Sequence, residues 1–81
     1  MSMVDDPKVN GRALRRMRQR AGLIQKELAA EAGLDPTTVS RLGTGERNRA
    51  YFSTMKSIAG ALSNAMGRPV TLDDLMVFPD D

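Results

Sequence analysis

Residues 25–45 read Gln25-Lys26-Glu27-Leu28-Ala29-Ala30-Glu31-Ala32-Gly33-Leu34-Asp35-Pro36-Thr37-Thr38-Val39-Ser40-Arg41-Leu42-Gly43-Thr44-Gly45. Leu28, Ala29 and Ala32 recur at helical spacing, so one face of the first half is apolar. Gly33 can take the left-handed conformation that ends a helix. Asp35-Pro36 starts another, because Asp is a good N-cap and Pro fits the first helical position. Val39 and Leu42 give this second segment a buried edge, and Gly43 with Gly45 is expected to stop it. The pattern predicts helices over 25–32 and 36–42. Helices this short are unstable alone, so each needs the other and a scaffold.

That is the logic of a helix-turn-helix, with the second helix offered outward. The spacing Gln25-x-x-Leu28-Ala29-x-x-x-Gly33-Leu34-x-x-x-x-Val39-Ser40-x-Leu42-x-x-Gly45 resembles the Cro and phage-repressor class, also called the xenobiotic-response-element type. The likeness extends from about Leu14 to about Leu75. It implies an all-α fold: a compact bundle of about five short helices, lambda-repressor-like, that binds DNA through the second helix of the motif. Two positions depart from the family pattern. Ile24 stands where the family has a Ser or Thr helix cap, and Gly43 stands where a Glu commonly pairs with an arginine of the first helix. Arg15 or Arg18 is thereby left without its expected partner.

The chain has 81 residues, one domain, and contains neither cysteine nor histidine. A disulfide framework, thiolate chemistry and a zinc site are not expected, and no cofactor is implied. No apolar run of about twenty residues and no signal-peptide pattern occurs, which leads to the expectation of a cytoplasmic protein without a membrane partner. The net charge of +2 is unevenly placed. Between Lys8 and Arg49 ten basic residues face four acidic ones, while the segments on either side each carry a net −2. Such a basic module suits a polyanion, although a run of charges is also what a solvated helix face looks like.

Outside the motif, residues 1–9 read as a flexible arm, with Asp5 and Asp6 arguing against a DNA-wrapping role. The domain is expected over 10–78, with 79–81 as a tail. Asn10 is a plausible cap for a helix over 11–21, in which Leu14 and Met17 face inward among Arg12, Arg15, Arg16, Arg18 and Arg20. Some of these arginines are expected to pair with Glu27, Glu31 or Asp35. Phe52, Met55, Ile58, Ala59 and Leu62 form an amphipathic stripe over 51–66. Thr71 followed by Asp73 and Asp74 starts a last helix over 72–76. The apolar run Leu75-Met76-Val77-Phe78 is either a lid on the core or a dimer patch.

The resemblance assigns roles in the 25–49 region. Gln25 would contact a phosphate or brace a side chain of the recognition helix; the plain alternative is an exposed first residue of a helix. Helices of this kind read bases with their N-terminal residues. Arg41 can donate two bonds to guanine O6 and N7, and Thr37 can offer a methyl to thymine or a hydroxyl to a base or phosphate. Thr38 and Ser40 suit phosphate. Arg47, Asn48 and Arg49 match the family's backbone-following loop, as contacts that position without specifying; a basic loop without a partner is the alternative. Tyr51 either places its hydroxyl on a phosphate or caps the core. The function implied is a sequence-specific transcriptional regulator, a small dimeric repressor or autoregulator on double-stranded DNA. The competing reading keeps the shape for a protein partner, as an antitoxin-like module. No base–nucleophile constellation or phosphate-cradling glycine loop points to an enzyme.

Overall fold

Helix starts follow the residues that can satisfy free amides. Asn10 caps α1 (Gly11–Arg20), its side-chain oxygen accepting from the Ala13 amide at 3.1 Å. The second helix, α2 (Gln25–Ala32), has no such acceptor, because its cap residue is Ile24. Glu27 compensates by reaching back to accept from the Ile24 amide at 2.9 Å, one half of a capping box. Asp35 caps α3 (Pro36–Thr44) by accepting from the Thr37 amide at 2.9 Å, with Pro36 in the first helical position. The longest helix, α4 (Phe52–Met66), is followed by α5 (Leu72–Leu75), where Thr71 and Asp74 close a capping box. The computed structural model describes residues 7–78. The fold is an all-α bundle of five helices with one small addition, an antiparallel pair of two-residue strands, β1 (Lys8–Val9) and β2 (Met76–Val77).

The core gathers one side of each helix. Leu14, Leu28, Val39, Leu42, Met55, Ile58, Leu62 and Leu75 are the largest fully buried side chains. Each contributes about 1.5–3 kcal/mol relative to its exposed state. α2 lies between α3 and α4, and α1 packs across α3. Ser63 ties the turn after α4 back to the helix: its hydroxyl donates to the Ala59 carbonyl at 2.7 Å and accepts from the Val70 amide at 2.8 Å.

Several sequence expectations change. Lys8 and Val9 do not belong to a flexible arm: they pair with Val77 and Met76, and Val9 is buried. The remainder of that arm, 1–6, and the tail 79–81 lie outside the described residues. Helix α3 runs through Gly43 to Thr44, and only Gly45, at φ +86°, ends it. The last helix stops at Leu75, where Met76 turns extended to join β2. Phe52 leaves the predicted stripe and is exposed, because the first turn of α4 projects past the core. Leu75 and Met76 do form a lid, whereas Val77 and Phe78 stay largely uncovered.

The tightest approach lies between α1 and α3. A Cβ built on Gly11 would sit 2.5 Å from the Leu42 carbonyl oxygen and 3.0 Å from that of Gly43. Gly11→Ala is therefore expected to destabilise by about 1–3 kcal/mol through overpacking, lowering the melting temperature by roughly 4–8 °C per kcal/mol. Gly60→Ala, in mid-α4 with open space around the new methyl, should instead stabilise by up to about 1 kcal/mol. Thermal unfolding followed by circular dichroism checks both signs; a neutral Gly11→Ala would show that the two helices can part without loss.

Candidate nucleic-acid interface

Burial of Val39 and Leu42 orients α3. With these two inward, Thr37, Arg41 and Thr44 fall on the exposed side at the i, i+4 and i+7 spacing of one helical face. Thr38 and Ser40 are half-buried on the flanks. The Asp35 carboxylate already occupies the Thr37 amide, so this helix offers an anion its side chains more than its N-terminus.

The chain reverses sharply after α3. The Arg41 carbonyl accepts from the Thr44 hydroxyl at 3.3 Å and from the Arg47 amide at 3.1 Å. This folds the loop back against the helix end and brings Arg47 next to Arg41, with Asn48 and Arg49, also exposed, following it. The loop is held from its other side by β1, where the Val9 amide donates to the Asn48 carbonyl at 2.7 Å. A concavity of about 560 Å³ results, lined by Thr38, residues 46–51 and Thr54. Tyr51 stands at its edge with 83% of its surface exposed, so it does not cap the core.

The eight residues assigned from sequence come from three elements: α2, α3 and the loop after it. Thr37, Thr38, Ser40 and Arg41 share α3, and Arg47, Asn48 and Arg49 adjoin them through the loop. Gln25 is half-buried at the start of α2, the helix packed against α3. Three side chains escaped the sequence reading. Thr44 belongs to α3 because the helix runs on through Gly43. Thr54 was one polar residue among several in α4. Glu46 was counted only as a charge, yet its carboxylate meets Arg41 Nε at 3.1 Å. An Arg and a Glu five residues apart, across a helix-ending glycine, carry no helical periodicity that would have revealed the pair.

The arginines of α1 divide. Arg18 donates from Nη1 to the Leu23 carbonyl at 2.7 Å and is half-buried. This bond closes the α1–α2 turn and supplies the partner that Gly43 lacks. Arg12, Arg15, Arg16 and Arg20 are exposed. The expected pairing with Glu27, Glu31 or Asp35 does not occur among the described residues: Glu27 and Asp35 are spent on helix caps.

Taken together, a short helix presented on its outer face, buried on its inner one and preceded by a glycine turn from a supporting helix is a helix-turn-helix. Compared with known families, residues 11–64 match the helix-turn-helix domain. The chain belongs to that family, and with it to the helix-turn-helix domains that bind DNA. No curated protein is similar enough to count as a match. Among the described residues no helix is long and apolar enough to cross a membrane.

Removing the turn-closing bond while keeping the aliphatic stem separates structure from DNA contact. Arg18→Met should destabilise by about 1.5–3 kcal/mol, the range for a hydrogen bond to a charged donor. Urea unfolding measures this, and duplex binding at a temperature where the variant is fully folded should stay at the wild-type level. A loss of affinity in the folded variant would place Arg18 at the interface instead.

Proposed function

We propose that the protein is a sequence-specific DNA-binding transcriptional regulator that inserts α3 into the major groove and acts as a small homodimeric repressor or autoregulator in the cytoplasm. One observation carries the reading: the exposed face Thr37–Arg41–Thr44 is followed by an exposed loop, Arg47–Asn48–Arg49, that is tied to it by the Arg47 amide on the Arg41 carbonyl. A base-reading stripe and a backbone-following loop are thereby presented together. In this reading Arg41 and Thr37 face base edges. Thr38, Ser40, Arg47, Asn48 and Arg49 hold phosphates and set the register. Gln25, at the start of α2, contacts the backbone where the supporting helix crosses it.

Dimerisation follows from the arithmetic of recognition. One helix of this length covers only a few base pairs. Two copies related by a two-fold axis read half-sites about one helical turn, roughly 34–36 Å, apart. The exposed large apolar residues among those described, Ile24, Tyr51, Phe52, Val77 and Phe78, are the surface available for a second copy or for another protein.

Selection from a random duplex pool at near-physiological salt tests the whole reading. An enriched inverted repeat with half-sites one turn apart is expected. Weak, salt-sensitive binding with no enriched sequence would sink it and favour a protein partner.

Two substitutions then separate the roles. Arg41→Ala should lose about 1–3 kcal/mol at the selected site and relax one base position. Arg47→Ala should weaken binding about equally on all sequences and reduce the salt slope by about one. Titrations at several salt concentrations on selected and scrambled duplexes decide; the reverse pattern would exchange the two assignments.

A further inference from the structure

The Arg41–Glu46 pair is an unusual investment for so small a molecule. Both side chains are exposed, Arg41 by 51% and Glu46 by 67%. An exposed pair of this kind adds little to stability. A carboxylate amid Arg47 and Arg49 also opposes a phosphate backbone, since it places negative charge where counterion release should be driven by positive charge. Neither stability nor general affinity therefore accounts for its position.

Geometry supplies a different role. Gly45, in the left-handed region at φ +86°, turns the chain so that Glu46 follows immediately beside the last turn of α3. The Glu46 amide is steadied by the Thr44 hydroxyl at 3.4 Å, and the next amide, that of Arg47, is bonded to the Arg41 carbonyl. The backbone on both sides of the carboxylate is thus fixed to the helix end, and the carboxylate reaches Arg41 at Nε. A guanidinium has five N–H donors in a planar fork. Engaging Nε orients that plane and leaves the terminal Nη groups for another acceptor.

We infer that Glu46 is the specificity-positioning residue of the interface: it holds the Arg41 guanidinium before DNA arrives, so that its Nη groups meet a guanine edge instead of a nearby phosphate. The inference rests on the DNA-binding reading above. Its physical basis is preorganisation. A free arginine has many rotamers and can satisfy itself on the dense phosphate charge beside it. Fixing the side chain in advance removes part of the ordering cost of the base contact. The negative charge of Glu46 simultaneously disfavours the competing phosphate contact, which is discrimination by a repulsive element.

The test uses the full chain, the selected duplex, and the same duplex with the base pair relaxed by Arg41→Ala replaced. Glu46→Gln keeps an acceptor for Nε while removing the charge. It is expected to tighten binding to both duplexes and to preserve most of their affinity ratio. Glu46→Ala removes the acceptor too, and is expected to lower that ratio roughly ten-fold, the scale of one bidentate base contact. In an Arg41→Ala background, Glu46→Ala should change the ratio no further. Thermal unfolding of both Glu46 variants should match the wild type. Retention of the full ratio by Glu46→Ala would make Glu46 a charge beside the loop and nothing more. A selected site at which Arg41→Ala relaxes no base position would overturn the inference while leaving DNA binding intact. No selected site for the wild type would instead fail the DNA-binding reading itself, and the inference with it.

Discussion

The close approach of the start of α1 to the end of α3 is the constraint on which the arrangement depends. Main chain meets main chain there, with room for no Cβ at Gly11. Helices of eight and nine residues such as α2 and α3 have too few internal hydrogen bonds to persist alone. α2 is held by burial of Leu28 and Ala29 against α3 and α4. α3 is held at one edge by Val39 and Leu42, and at its far end by α1. Its outer face can then be given over to Thr37, Arg41 and Thr44, which contribute almost nothing to the core.

Much of this is legible in the sequence because local chemistry marks it. Asn10, Asp35-Pro36 and Thr71 announce helix starts, and Gly33 and Gly45 announce ends, each for a reason confined to a few residues. Met55, Ile58, Ala59 and Leu62 reveal the buried side of α4 by spacing alone. Gly43 reads as a stop, yet it lies inside α3 without positive φ, and nothing in the neighbouring residues marks that the helix continues. The replacement for the missing N-cap at Ile24 was also local, since Glu27 sits at the capping-box position.

What was hidden depends on the fold as a whole. Two-residue strands have no readable periodicity, and Lys8–Val9 becomes a strand only because Met76–Val77 arrives beside it. The Arg18 bond to the Leu23 carbonyl and the Arg41–Glu46 pair both depend on the path of a turn, which composition does not encode. The candidate interface is accordingly half legible: the residue types on α3 and in the loop could be named, while their mutual restraint required coordinates.

The β1–β2 ladder has a kinetic consequence. It joins the two ends of the described chain, so forming it closes a loop around nearly every other residue. Closure over long sequence separation carries a larger entropic cost than the packing of α2 on α3, which adjoin in sequence. With only two residues per strand, the ladder has few hydrogen bonds of its own to hold it. Because the Val9 amide also holds the Asn48 carbonyl, the ladder supplies one of the arginine-bearing loop's two backbone anchors, the other being the Arg47 amide on the Arg41 carbonyl. Amide exchange at Val9 therefore reports on the ladder and on this anchor of the loop together.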